Sequence, residues 1–451
     1  MTLSANALLL VKITLSVFII IFILLNIQPT TSNKHYYYTV KKTKKIITFY
    51  PTFYILHSSF YIMKKYNFDE IAPRKGTFCV KHDMTPEVFG TDDLLPMWVA
   101  DMDFKTPDFI LEAIRKRCEH EVLGYTFAPD GYKMAVLNWF QKRYGIATKW
   151  NRMRFVPGIV QGFAFALQTF TRPGDKVLIT TPVYPPFINV PHRTGRVFVS
   201  CPLKTENGRF TFDFNDFERK ADGCKLLILS NPHNPGGTVW TKEELSQVAD
   251  ICLRKGVLVI SDEIHADLTY PQFRHTSFST VSEAAEHNSI TFFAPSKTFN
   301  MAGLASSVCY VSDENIRKEF FGFLDHNELS LGHIFGYYAA EAAFAHGEEW
   351  LRQLLEYLQG NIDAAEAYLE EHCPEITFMR PEASFLLWMD FRAWNLPQKE
   401  LVRKLVYDAK VGLNNGTDFG AEGEGFMRMN IGTNRETVLE GLRRIVSISD
   451  L

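Results

Sequence analysis

Lys297 is the residue best placed for covalent chemistry. It follows the apolar run Ile290-Thr-Phe-Phe-Ala294 and precedes small and turn-forming residues that end at Gly303. Burial disfavours the ammonium form of a lysine, so such an amine can lose its proton and act as a nucleophile or a base. The alternative for the residue taken alone is a lysine whose amine reaches solvent from a partly buried stem.

Two other apolar runs also end in polar residues. The run 226–230 stops at a Pro/Gly loop with Asn231 and Asn234, whose amides bind a ligand or only shape a turn. The run 257–261 stops at Asp262. Ligands of α/β folds bind at the carboxyl ends of strands, so Asp262 is a candidate ligand-binding carboxylate. A cap on the next turn or helix is the alternative reading of Asp262.

An aromatic residue and an arginine extend the set. Tyr184 follows the run 177–180 on a proline-stiffened loop, where it packs in the core or meets a ligand. Arg428 lies in the alternating apolar segment 426–433. An inward arginine needs an anion, supplied either by a ligand or by a structural Asp or Glu. The occurrence of all these segments in one chain favours a functional site over separate packing roles.

In this order the segments resemble the fold-type I enzymes that use pyridoxal 5′-phosphate (PLP), the class I/II aminotransferase superfamily. The resemblance runs from about Lys64 to the C-terminus, and it is closest to the cystathionine β-lyase branch typified by the MalY and PatB proteins. Its motifs are Tyr66-Asn-Phe-Asp-Glu70, Lys75-Gly-Thr77, Pro96-Met-Trp-Val-Ala-Asp-Met-Asp103, Gly124-Tyr125, Pro182-Val-Tyr-Pro-Pro-Phe187, Asp262-Glu-Ile-His265 and Ser296-Lys-Thr-Phe-Asn300. The joint occurrence of these motifs in order is specific.

The resemblance implies roles around the coenzyme ring. Lys297 would form the Schiff base with PLP and then remove the Cα proton of the substrate. Asp262 would keep the ring nitrogen protonated, so that the ring accepts electrons. Asn234 would donate a hydrogen bond to the 3′-oxygen, and Tyr184 would stack on the ring.

The resemblance also implies a phosphate site and a substrate site. Ile159 and Val160 would present backbone N–H groups to the phosphate at the start of a helix, and Ser296 would add a hydroxyl donor. Arg428 would bind the substrate α-carboxylate through two hydrogen bonds. Tyr125 would reach the substrate site of a neighbouring subunit, which implies a homodimer with shared active sites.

Three positions separate this chain from many aminotransferases. Ala294 and Ala305 stand where those enzymes carry a serine and an arginine for the phosphate, and His265 stands where they carry a tyrosine. Histidine at that position resembles the lyase branch. The expected reaction is therefore α,β-elimination from an L-cysteine S-conjugate such as cystathionine, giving homocysteine, pyruvate and ammonia. Transamination of an amino acid is the alternative, because it uses the same residues.

Composition agrees with a large enzyme. The chain has 451 residues, of which 46% are hydrophobic, and its net charge of −3 gives no sign of nucleic-acid binding. The seven cysteines are scattered, with no CxxC pair and no clustering with histidine. This distribution indicates reduced thiols in the cytoplasm and no metal site.

Apolar runs alternate with helical patterns along most of the chain. Strands are expected at 177–180, 197–201, 226–230, 257–261, 290–293 and 307–311, with helices between several of them. One helix, 241–255, opens with a Thr-Lys-Glu-Glu capping pattern. The spacing predicts an α/β fold with a mainly parallel sheet covered by helices.

We expect four regions. Residues 63–106 form an N-terminal arm and part of a small domain, residues 107–345 a large PLP-binding domain, and residues 346–451 a small C-terminal α/β domain. Within them, a helix is expected from Pro107 with Thr106 as its N-cap. Further helices are expected at 315–326, 334–358, 361–372 and 435–447, with Gly347 punctuating the second of them.

The fourth region, residues 1–62, differs from the rest. It holds six lysines and no acidic residue, so it carries +6 and the remainder of the chain −9. Residues 5–27 are almost continuously apolar and long enough to cross a bilayer. They are a membrane anchor that leaves the enzyme in the cytoplasm, or the native protein starts at Met63. A secretory signal fits less well, because no basic segment precedes the run.

Overall fold

The computed structural model describes residues 64–449 and two short strands near the N-terminus. The strands β1 (Gln28–Ser32) and β2 (His35–Thr39) form an antiparallel pair. By its contacts the chain divides into one unit that ends at Lys65 and a second that begins at Tyr66. The predicted apolar segment 5–27 lies outside the described residues. None of the helices in the described ranges has the length and apolarity that a membrane span requires.

The second unit contains strands from Leu95 onward. They are β3 (Leu95–Pro96), β4 (Met153–Val156), β5 (Lys176–Thr181), β6 (Val197–Pro202), β7 (Lys204–Glu206), β8 (Arg209–Thr211), β9 (Cys224–Ser230), β10 (Leu258–Asp262), β11 (Ser289–Phe293), β12 (Ser307–Tyr310), β13 (Thr377–Met379), β14 (Leu386–Asp390), β15 (Val411–Gly412), β16 (Asn414–Asn415) and β17 (Phe426–Asn430).

The α-helices of this unit are interspersed with its strands. They are α1 (Val80–Asp83), α2 (Thr85–Phe89), α3 (Asp108–Cys118), α4 (Asp130–Tyr144), α5 (Ile159–Phe170), α6 (Pro185–Arg193), α7 (Phe214–Ala221), α8 (Lys242–Lys255), α9 (Glu283–His287), α10 (Pro295–Thr298), α11 (Glu314–His326), α12 (Ile334–His346), α13 (Glu348–His372), α14 (Gln398–Arg403) and α15 (Arg435–Val446). A π-helical turn, Lys404–Asp408, continues α14.

The large sheet has seven strands in the order β4-β12-β11-β10-β9-β5-β6. Its five consecutive strands from β11 to β6 are parallel, whereas β12 runs antiparallel to both β11 and β4. The predicted α/β class with a mainly parallel sheet is therefore confirmed. Because the parallel strands point the same way, their carboxyl ends lie along one edge, where α/β folds bind ligands.

Hydrophobic side chains fill both faces of this sheet. In β9, Leu226 and Ile228 belong to a cluster that includes residues of α5 and α11, and Leu227 and Leu229 belong to one that includes residues of α7 and α8. A strand buried on both faces needs apolar residues at consecutive positions, which explains the continuous apolar runs in the sequence. Replacing such a leucine with alanine costs about 2–5 kcal/mol of stability.

A second sheet of four antiparallel strands has the order β13-β14-β17-β16. It carries Arg428 at the centre of β17, opposite Trp388 of β14 and Asn414 of β16. All four strands fall in the region predicted as the small C-terminal domain. The domain boundaries at 106/107 and 345/346 stay predictions.

Two predicted helix boundaries are wrong. Helix α3 begins at Asp108 with Pro107 as its N-cap, and the hydroxyl of Thr106 instead donates to the carbonyl of Asn300 at 2.8 Å. The predicted helices 334–358 and 361–372 are α12 and α13: they meet at Gly347, where punctuation was expected, and the expected break between 358 and 361 is absent. A Cβ at Gly347 would lie 2.2 Å from the Phe299 ring, so only glycine fits there. The predicted capping box of α8 at Thr241 is present.

Candidate active site

A cavity of about 280 Å³ opens at the carboxyl ends of β9 and β10. Six separate segments contribute to its wall. Eight of the ten predicted site residues line it: Ile159, Val160, Tyr184, Asn234, Asp262, His265, Ser296 and Lys297. The parallel strands therefore bring together residues that are far apart in sequence.

Lys297 lies in the short helix α10, which follows the buried strand β11. Its side chain is only partly exposed, and its amine donates a hydrogen bond to the carbonyl of Ala100. Burial lowers the pKa of Lys297 to about 8, and the positive charge of Arg428 acts in the same direction, against Asp101 and Asp262. The amine is thus not a solvated surface charge, and part of it is unprotonated near neutral pH.

Asp262 ends β10 and is 6% exposed. Its Oδ1 accepts a hydrogen bond from the Ile264 N–H at 3.0 Å, so it caps the turn as well as facing the cavity. Burial raises the pKa of Asp262 to about 7, although the Ile264 bond and the charge of Lys297 oppose that rise. Within the part of the chain that the structure describes, Asp262 forms no ion pair. A cationic group in the cavity would hold it in the charged form.

Asn234 and His265 offer polar atoms on the same side of the cavity. The Asn234 side-chain oxygen accepts from Arg428 at 3.0 Å, which leaves its NH₂ group free to donate elsewhere. Nδ1 of His265 is buried without a hydrogen-bond partner. Burial, with the charges of Lys297 and Arg428, lowers the pKa of His265 to about 3. The imidazole is therefore neutral at physiological pH.

Arg428 lies next to the cavity and is 3% exposed. Its three hydrogen bonds go to neutral acceptors: the side-chain oxygen of Asn234, the carbonyl of Trp98 at 3.2 Å and the side-chain oxygen of Asn414 at 2.5 Å. Nε has no partner, and no Asp or Glu of the described residues forms an ion pair with Arg428. The alternative of a structural acidic partner is therefore wrong, and an external anion remains the candidate.

The N-terminus of α5 forms the end of the cavity. Helix α5 begins at Ile159 after the extended N-cap Gly158, so its first N–H groups are free to bind an anion. Ser296 lines this region, together with Ala305 and Ser306. The Ser306 hydroxyl is buried without a partner. These donors fit a phosphate group, although Ala305 contributes no arginine.

Tyr125 does not line the cavity of its own chain. It is fully exposed, and its neighbours Val122, Leu123 and Phe127 are exposed as well. Its predicted contact with the site of a neighbouring subunit stays a prediction.

Sequence reasoning missed several groups at the site. The sequence does not distinguish Ser306 from the serine beside it. Only the burial of its hydroxyl and the missing hydrogen-bond partner identify Ser306 as a candidate donor to the phosphate. The carbonyl groups of Trp98 and Ala100 bind Arg428 and Lys297, but backbone acceptors leave no signal in residue types. Trp98 and Ala100 do lie in one of the recognised motifs, which was the available clue.

Fold and cavity define an α/β enzyme of the fold-type I class, and comparison with known proteins agrees. The model of the family "Aminotransferase class I and II" matches residues 93–445, so the chain belongs to that family.

Individual relatives narrow the assignment to the predicted branch. Cystathionine β-lyase PatB of Bacillus subtilis is 42% identical over 84% of this chain and 98% of its own length. Protein MalY of Escherichia coli is 30% identical over 85% of this chain and 98% of its own length. The resemblance to the MalY and PatB branch is thus confirmed.

Solved structures give the same result. Cystalysin from Treponema denticola, whose crystal structure contains a pyridoxal 5′-phosphate cofactor, has a TM-score of 0.81 and 32% identity, covering 85% of this chain and 98% of that one. The PLP-bound C-S lyase from Staphylococcus hominis has a TM-score of 0.79 and 33% identity, with the same coverage.

Proposed function

We propose that this protein is a PLP-dependent carbon–sulfur β-lyase. With one molecule of water, it would convert L-cysteine S-conjugates such as cystathionine into a thiol, pyruvate and ammonia. The observation that carries the proposal is the single cavity that holds the Lys297 amine, the Asp262 carboxylate and the N-terminus of α5. The relatives named as cystathionine β-lyases support the reaction class.

The residues present fit the coenzyme. Lys297 would bind its aldehyde, and Asp262 would pair with its ring nitrogen. The partnerless Nδ1 of His265 and the free NH₂ group of Asn234 suit the ring oxygen.

Donors at the cavity end suit the phosphate. These are the first N–H groups of α5 and the hydroxyls of Ser296 and Ser306. Tyr184 would cover the ring. Bound in this way, the coenzyme supplies a ring that accepts the electron pair released at the substrate Cα.

The side chains supply the remaining chemistry. Arg428 would bind the substrate α-carboxylate through Nε, which has no partner in the structure, and so orient the Cα–H bond towards Lys297. The Lys297 amine, with a pKa of about 8, can take the Cα proton and return it to the departing sulfur near neutral pH. Neutral His265 cannot act as a competing acid.

A lyase accounts for the differences from typical aminotransferases better than transamination does. His265 replaces a tyrosine, and Ala305 replaces an arginine that contacts the phosphate in those enzymes. Transamination remains the second candidate, because the family name covers aminotransferases and LL-diaminopimelate aminotransferase of Desulforudis audaxviator is 28% identical over 78% of this chain.

We further propose a homodimer that works in the cytoplasm. The exposed apolar residues around Tyr125 suit burial against a second copy of the chain. All seven cysteines are free thiols, which suits a reducing compartment. Regions 63–106, 107–345 and 346–451 would be its arm, large domain and small domain, since the two main sheets fall in the last two regions.

Product identification separates the two reactions. Purified protein is incubated with PLP and L-cystathionine, and pyruvate and free thiol are measured. In parallel, a series of amino acids is offered with a 2-oxo acid, and new amino acids are measured. The proposal requires that pyruvate forms in stoichiometric amounts with the thiol and faster than any new amino acid. Faster transfer of the amino group would reject the lyase in favour of the aminotransferase.

A further inference from the structure

A cluster of charged residues includes two carboxylates of the segment that contacts Lys297 and Arg428. The Lys81 amine is 2.8 Å from Oδ2 of Asp103, and the Lys81 side chain is 1% exposed. Arg74 binds Oδ1 of Asp103 at 2.9 Å and Oδ2 of Asp101 at 2.6 Å. Burial would raise the pKa of Asp103, but hydrogen bonds and charges from His82, Lys81 and Arg74 outweigh it and hold that pKa well below its usual range. The buried carboxylate is therefore ionised and tied to two cations.

Asp101 and Asp103 belong to the segment 98–103, which has no regular secondary structure. The carbonyl of Ala100 accepts the hydrogen bond of the Lys297 amine, and the carbonyl of Trp98 accepts one from Arg428. Acceptors two residues apart on one segment therefore bind both cationic side chains of the proposed site.

Other side chains hold the remaining carbonyls of the segment. The Asn430 NH₂ group donates to Val99 and to Asp101, and the Asn300 NH₂ group donates to Met102 at 2.9 Å. No strand or helix fixes this backbone, so its position depends on these bonds, on the bonds that the N–H groups of Met102 and Asp103 donate to Asn300 and Gly432, and on the ion cluster.

We propose that the ion cluster of Arg74, Lys81, Asp101 and Asp103 is a positioning element for the reaction. It fixes the segment 98–103, whose carbonyls then direct Lys297 and Arg428 together. This inference rests on the proposed function, since it concerns the same two residues. It adds residues that touch neither substrate nor coenzyme and act only through the segment.

Asp101 has a second effect on Lys297. Its carboxylate favours the ammonium form of Lys297, against the effect of burial. The other charged or titratable groups that face the amine are Arg428, Asp262 and His265.

The test uses Lys81→Met, with Lys75→Met as its control, because the Lys75–Asp92 pair is exposed in the same arm. Two measurements are made on the cofactor-free full chain: hydrogen exchange of peptides covering 97–103, and the rate at which acetic anhydride labels Lys297. In Lys81→Met we expect exchange at 97–103 to become at least about tenfold faster while β9 and β10 stay unchanged. The labelling rate of Lys297 should also differ from wild type in Lys81→Met. Neither the exchange rate at 97–103 nor the labelling rate should change in Lys75→Met.

A lower melting temperature with wild-type exchange at 97–103 and wild-type labelling of Lys297 would overturn the proposal, because the cluster would then be only structural. Asp101→Asn provides a second variant that needs no buried charge to be removed. Without this carboxylate the segment loses its ion pair with Arg74, so exchange at 97–103 should again be faster than in wild type, and an equal rate would also overturn the proposal. None of these measurements requires lyase activity, so failure of the proposed reaction is detected separately.

Discussion

Arg428→Met tests the substrate site most sharply. Arg428 is buried, has only neutral hydrogen-bond partners and leaves Nε without one. Such a side chain is prepared for a carboxylate that arrives from outside. If it binds the substrate carboxylate, its removal leaves that charge in a desolvated pocket without a counter-ion.

The magnitude follows from the burial. Truncating one partner of a buried, hydrogen-bonded charge pair costs about 2–5 kcal/mol, which is about 30-fold to about 5,000-fold in KM for cystathionine. The effect falls mainly on KM, because the carboxylate is bound equally in the ground state and the transition state.

Stability should change little in the same variant. Burial lowers the pKa of Arg428 to about 10, a desolvation cost of about 3 kcal/mol. Three hydrogen bonds of about 1 kcal/mol each offset that cost in the wild type. The substitution removes the desolvation cost together with the hydrogen bonds, so the free energy of unfolding stays nearly unchanged.

The assay is steady-state pyruvate release over a range of cystathionine concentrations, with the melting temperature measured alongside. Arg403→Met is the control, because Arg403 pairs with Glu400 on the surface of the same region. A KM equal to that of wild type in Arg428→Met, with the protein folded, would refute the carboxylate role.

Three further predictions concern the other site residues. Asp262→Asn should lower kcat at least about 100-fold, about 3 kcal/mol, because the charge opposite the ring nitrogen is lost, and an unchanged rate of pyruvate release would contradict that role. Ser306→Ala should weaken PLP binding about tenfold, about 1.4 kcal/mol, in a spectroscopic titration, whereas Ser447→Ala on the surface should not. Labelling of Lys297 by acetic anhydride should rise through about pH 8 and level off above it, since only the unprotonated amine reacts and its pKa is about 8; a midpoint near 10.5 would indicate an unperturbed lysine.

The sequence predicted the structure well where a pattern of residues is compatible with only one kind of element. Consecutive apolar residues predicted β9, β10 and β11, because a strand covered on both faces cannot alternate. The polar residues that follow these runs then lie at the carboxyl edge of the sheet, so the cavity could be predicted from the order of the motifs. Strand β4 was not predicted, since Arg154 interrupts its apolar pattern and its neighbours in the sheet are distant in sequence.

The remaining features depend on tertiary contacts. Gly347 was expected to punctuate a helix, but the reason that only glycine fits there is the Phe299 ring, which sequence periodicity cannot reveal. The absence of an acidic partner for Arg428 among the described residues is likewise a property of the folded arrangement, because Asp and Glu are common from Asp69 onward. The same holds for the segment 98–103, whose carbonyls rather than side chains contact Lys297 and Arg428.

Reductive trapping of Lys297 tests the central claim most directly. The full-length protein is incubated with PLP, reduced with borohydride, digested and analysed by mass spectrometry, with Lys297→Ala and Lys75→Met treated in the same way. The account predicts one stoichiometric pyridoxyl group on the peptide that carries Lys297, its loss in Lys297→Ala and its retention in Lys75→Met. Stoichiometric modification of a different lysine, or none, would contradict the account.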